Sequence, residues 1–213
     1  MGWRRTKTAP RVRHGRTLHK NNWRPTPDNY GQPQVSISRL RPGTGYRHVL
    51  RCSDVYTFVH LLPDWDRLRT RLNQILLASK PGPVLGWHRP GTVAICAMHR
   101  DLGAWYHRDY FTLDVDFFNR VGVPYQYVQE DGQLGDQPSN ADWERVRVQF
   151  TTSLAHCFQL LRVLTHELGH HYDRITNRRG WASRGEPFAI RYERESEAAV
   201  WARYVAVFGD PRR

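Results

Sequence analysis

Apolar and polar positions alternate from Gln34 to Leu40, turn chemistry follows at Arg41-Pro42-Gly43-Thr44-Gly45, and an apolar stretch runs from Tyr46 to Cys52. That pattern predicts a β-hairpin. Ser53 to Leu62 reads as a short helix. A clearer one is expected from Asp64 to Ser79, with Trp65, Leu68, Leu72, Ile75 and Leu76 on one face and Lys80-Pro81-Gly82-Pro83 as its stop. Thr92 to Met98, Tyr110 to Val115 and Val123 to Gln129 have strand character. A polar loop covers Glu130 to Ser139, and Trp143 to Phe150 opens a strand or a helix. From Ser153 to Ile175 there is no proline and one glycine, and Leu154, Phe158, Leu161, Leu164 (or Thr165) and Leu168 recur with helical period. Ser153 suits the N-cap, and Arg174 with Asn177-Arg178-Arg179-Gly180 marks the end. A second helix runs through Tyr192 to Ala202. A mixed sheet preceding two long helices is an α+β arrangement.

Charge divides the chain. The formal net charge is +12, but residues 1–51 hold twelve Lys or Arg and one acid, so the remaining 162 residues are nearly neutral. Residues 1–33 also combine Pro10, Pro25, Pro27 and Pro33 with few aliphatic side chains, which predicts a flexible basic arm ahead of a domain over 34–213. Trp3, Trp23 and Tyr30 in the arm suit stacking on bases, and its eight basic residues suit phosphates, so nucleic acid or an anionic surface is a candidate partner. The bland reading is a solubilising tail. No run of ~18 apolar residues occurs, and the charged N-terminus lacks the apolar core of a secretory signal, which points to the cytoplasm. Cys52, Cys96 and Cys157 are odd in number and widely spaced, as expected for reduced thiols, mostly in the core.

The chemistry concentrates at His166-Glu167-Leu168-Gly169-His170. With 11 His and 7 Glu in 213 residues, H-E-x-x-H arises by chance about 0.02 times in such a chain. Four residues is about one helical turn, so the two imidazoles point the same way and can share one metal ion, a geometry suited to zinc. Glu167 lies ~100° around the helix, which sets its carboxylate beside such an ion as a base for bound water and not as a ligand.

LTHELGHHYD resembles the active-site helix of the zincins, the zinc metallopeptidases carrying H-E-x-x-H, over some 50 residues. The resemblance implies zinc on His166 and His170, Glu167 as general base and a third protein ligand downstream. Asp173 and Thr176 stand where the metzincin extension requires Gly and His, and no methionine follows the motif, which excludes that branch. The run Tyr192-Glu193-Arg194-Glu195-Ser196-Glu197-Ala198-Ala199 is similar to the ligand helix of the gluzincins. Three carboxylates compete there. Glu195 shares a helix face with Ala199, Ala202 and Ala206, a small-residue stripe that would allow close approach to the histidine helix, and is the favoured ligand. Glu193, with Ser196 and Glu197 at i+3 and i+4, is second. Asp173 or Glu197 is the candidate to orient a zinc histidine.

The expected activity is zinc-dependent hydrolysis of peptide bonds in a peptide or protein substrate, with Glu167 taking and returning the proton. His171, Tyr172, Arg191 and Tyr192 are candidates to stabilise the oxyanion, and an edge strand near the active-site helix would template the peptide. Thr176 to Pro187 reads as a loop over the cleft or a plain connection. The rival is a non-catalytic zinc domain that binds a partner or nucleic acid.

Overall fold

The computed structural model describes residues 12–13, 16–17, 35–79, 84–129, 134–135, 143–177 and 184–213. The expected basic arm and the Glu130–Ser139 loop lie largely outside these residues. Within the arm, β1 (Val12–Arg13) pairs with β2 (Arg16–Thr17).

The centre of the molecule is a mixed four-stranded sheet. β3 (Ser36–Arg39), β5 (Gln74–Ala78) and β7 (Thr92–Cys96) run parallel, and β6 (Gly86–Arg89) closes one edge antiparallel to β7. All five β7 residues are buried, as a continuous apolar run in a covered parallel strand requires. β4 (Tyr46–Arg47) pairs with β8 (Met98–His99). A second, antiparallel sheet has the order β11 (Leu134–Gly135), β10 (Tyr125–Gln129), β12 (Trp143–Gln149), β9 (Gly103–His107). Buried Tyr106, Val146 and Val148 contribute to the core, where Tyr106 meets Phe111 and Phe118 edge-on. Both phenylalanines belong to α3 (Arg108–Val121).

Three expected elements differ. The predicted hairpin is absent, because β3 pairs in parallel with β5 and β4 pairs with β8. The predicted helix from Asp64 to Ser79 survives only as α2 (Trp65–Leu68), after α1 (Cys52–Val59). Arg71 adopts φ 61°, which ends helical geometry, and Asn73 and Gln74 both donate to the Gly91 carbonyl, leading Ile75-Leu76-Leu77 into the sheet. Tyr110 to Val115 is helical and not a strand. The His107 side chain accepts from the Asp109 amide at the start of α3, Gly122 in the left-handed region ends it, and Phe111, Val115 and Phe118 follow the helical period.

The long helix is present as α4 (Thr152–Phe158), a π-helical segment (Gln159–Leu164) and α5 (Thr165–Thr176). Thr151, not Ser153, caps it, accepting from the Leu154 amide at 3.2 Å. Leu154, Phe158, Leu161, Leu164 and Leu168 are all buried, as their spacing predicts. α6 (Gly185–Phe208) begins before the expected second helix and packs against α5. A Cβ at Gly169 would lie 2.9 Å from the Ala189 Cα and 3.1 Å from the Ala189 carbonyl oxygen, so glycine permits this contact. Asp173, buried near the end of α5, accepts from the Arg184 amide at 2.7 Å and contacts its Nε at 2.5 Å, fixing the start of α6. The three cysteines are free, with Cys96 and Cys157 buried. Among the described residues, no helix is long and apolar enough to cross a membrane.

Candidate metal centre

His166 and His170, at i and i+4 on α5, project toward the first turn of α6. Their rings stand nearly perpendicular with centroids 4.9 Å apart. Glu186 meets both: Oε2 lies 3.1 Å from His166 Nε2, and Oε1 lies 3.3 Å from His170 Nε2. The three residues each offer one donor atom, all within 4.8 Å of one another. The donor set suits zinc, because ligands at ~2.0–2.1 Å in a tetrahedron lie ~3.3 Å from each other. The histidines are about one-fifth exposed and Glu186 is open to solvent.

Glu193 does a different job. Its Oε2 lies 3.0 Å from His166 Nδ1, the ring nitrogen turned away from Glu186, while its Oε1 forms a 2.5 Å ion pair with Arg162 of the π-helical segment. Burial disfavours the charged imidazole of His166, but the hydrogen bond and charge of Glu193, together with the charges of Glu167 and Glu186, outweigh it and raise the pKa. A carboxylate on Nδ1 fixes the ring and presents Nε2 to an ion.

Glu195, the favoured third ligand, is the main correction. Its side chain is 70% exposed and lies 3.8 Å from Arg191, with Ala199, Ala202 and Ala206 on the same solvent side. The face of α6 turned inward instead carries Tyr192, Glu193, Ser196, Glu197, Val200 and Tyr204. Close approach comes from Gly169 and Ala189, not from the alanine stripe. The proposed orienting residues are also engaged elsewhere: Asp173 holds Arg184, and Glu197 pairs with Arg120 and Arg162.

Glu167 is buried against the edge strand. A Cβ on Gly86 of β6 would lie 2.8 Å from its Oε1, so the carboxylate occupies space left by the missing side chain. Burial pushes its pKa up to about 7, against a lowering contribution from His166 and with a further rise from Glu186. Nearby on β6, His88 stacks on His170 with centroids 6.3 Å apart, and its buried Nε2 has no hydrogen-bond partner among the described residues. Burial, reinforced by His171, His170 and Arg174, lowers its pKa to about 4.

The candidate oxyanion residues have other neighbours. His171 is buried with Nε2 2.9 Å from the Leu68 carbonyl, Tyr172 stacks on Phe188 and Tyr192, and the Tyr192 hydroxyl donates to Asp64. Arg191 lies on the solvent face beside Glu195.

Sequence reasoning missed Glu186, Arg162 and His88. Gly185-Glu186-Pro187 held a readable signal, since proline favours the first turn of a helix; it would have started α6 there and put Glu186 in that turn. Comparison with protein-family models, curated proteins and solved structures finds no match.

Proposed function

We propose that the protein is a zinc-dependent peptidase of zincin-like design, with His166, His170 and Glu186 holding the ion and Glu167 as general base. The observation that carries this reading is the convergence of His166 Nε2 and His170 Nε2 on one carboxylate, with Glu167 one residue along the same helix. A zinc ion held there would supply Lewis-acid activation of a water and of the scissile carbonyl.

The protein's own groups fit the remaining work. Glu167, with its pKa near neutrality, takes a proton from the attacking water and delivers it to the leaving amine. Glu193 keeps Nδ1 of His166 hydrogen-bonded, so Nε2 remains the free donor. The substrate backbone extends along β6, which has no strand neighbour on its outer edge among the described residues.

Zinc analysis paired with cleavage of an unbiased peptide library tests the reading. One zinc per chain and cleavage are expected, and Glu167→Gln should retain zinc while turnover falls ~10²-fold or more. Zinc without cleavage would favour the non-catalytic rival, and absence of both would reject the proposal.

A further inference from the structure

The Arg162 guanidinium sits where α3, the π-helical segment and α6 meet, with a side chain only 6% exposed. Its Nη2 and Nε lie 2.6 and 3.0 Å from Asp114 Oδ1, and Nη2 also donates to the Leu113 carbonyl at 3.1 Å. On the other side, Nη1 lies 2.5 Å from Glu193 Oε1 and 3.4 Å from Glu197 Oε2. Glu193 then passes the contact on, through its second oxygen, to His166 Nδ1. Arg162 is one helical turn before His166, and π-helical turns recur at functional sites.

We propose that Arg162 is a positioning residue that clamps Glu193. It anchors the carboxylate to His166 Nδ1 and keeps it out of the metal's ligand set, leaving that place to Glu186. The inference rests on reading His166, His170 and Glu186 as the metal site. Its physical basis is the accounting of a buried carboxylate. One Glu193 oxygen is hydrogen-bonded to the imidazole, and the other is in ion-pair contact with the guanidinium without hydrogen-bond geometry. A buried carboxylate deprived of its cation is strongly unfavourable, so without Arg162 Glu193 would no longer be held in place on His166 Nδ1. Only a forked cation can hold Asp114 and Glu193 at once, which a lysine ammonium cannot reproduce. Asp114 thereby ties the metal helix to α3.

The test uses the full chain and two readouts. In metal-free protein at alkaline pH, ¹⁵N-resolved imidazole spectra should show His166 fixed as the Nδ1–H tautomer, and Arg162→Gln should convert it to a tautomer mixture. In chelator competition, Arg162→Gln should weaken zinc binding by about 10- to 100-fold, and the same change in a Glu193→Gln background should have little further effect. Thermal melts check folding. If Arg162→Gln does not fold, Arg162→Lys and Asp114→Asn replace it, with smaller shifts in the same direction. An unchanged tautomer in a folded variant, or an equal loss of zinc affinity in both backgrounds, overturns the clamp. Normal zinc binding with an unchanged tautomer rejects the clamp and leaves the metal site standing. A tautomer change in a protein that binds no zinc in any form rejects the metal site, and the exclusion of Glu193 with it.

Discussion

α5 buries one carboxylate without a cation, Glu167, besides Asp173, which Arg184 holds, and α6 buries two that are paired. Glu167 on α5 is shielded from water against Gly86, and among the described residues no arginine or lysine is in ion-pair contact with it. Glu193 and Glu197 on α6 face guanidinium groups, Arg162 for both and Arg120 for Glu197. Burial alone destabilises a charged carboxylate, whereas a well-placed guanidinium offsets that cost. The unpaired group is therefore suited to exchanging protons, and the paired groups to holding other side chains in place.

Removing charge should have opposite consequences at the unpaired Glu167 and the paired Glu197. Glu197→Ala strips Arg120 and Arg162 of a shared partner and should cost about 3 kcal/mol in urea unfolding. That is the lower part of the range for broken buried pairs, since Arg120 is half exposed and Arg162 keeps two other carboxylates. A change below about 0.5 kcal/mol would remove the distinction between the helices.

Glu167→Gln should instead stabilise the metal-free protein above neutral pH. The folded-state pKa is raised from 4.5 to about 7, so the folded chain binds the proton more tightly than the unfolded chain. Stability from this group is fully present below pH ~4.5 and is lost as pH rises through ~7, amounting to up to about 3 kcal/mol. Denaturant midpoints of wild type and Glu167→Gln should separate across that window. Parallel curves would show that Glu167 is not desolvated.

The remaining comparisons are smaller. Gly169→Ala drives a methyl group into the Ala189 backbone and should cost about 1–3 kcal/mol while weakening zinc binding, since α6 carries Glu186. Wild-type stability and zinc affinity in this variant would show that the helices are not in close contact. Glu195→Ala, on the solvent face, should stay within about 0.5 kcal/mol of wild type, as read by thermal melts.

The contrast also explains which features were legible in the sequence. The histidine helix was readable because its signal is local: a four-residue spacing and an apolar stripe whose members are all buried. The face of α6 was not, because its interior side is marked by glutamates whose partners come from positions 120 and 162, while the stripe of Ala199, Ala202 and Ala206 faces solvent. β5 was lost for a related reason. Ile75, Leu76 and Leu77 fit a helix or a strand equally well, and the positive φ at Arg71 that decides between them has no glycine to announce it. The α+β class survived these errors because β7, β10 and both long helices carry strong patterns of their own.

The most direct measurement is zinc affinity by chelator competition across Glu186→Gln, Glu193→Gln and Glu195→Gln. Loss of a ligand at Glu186 should weaken binding by about three orders of magnitude, loss of the partner of His166 at Glu193 by about 10- to 100-fold, and loss of Glu195 not at all. Near-wild-type affinity in Glu186→Gln, with the large loss falling on Glu193→Gln or Glu195→Gln, would contradict the ligand set.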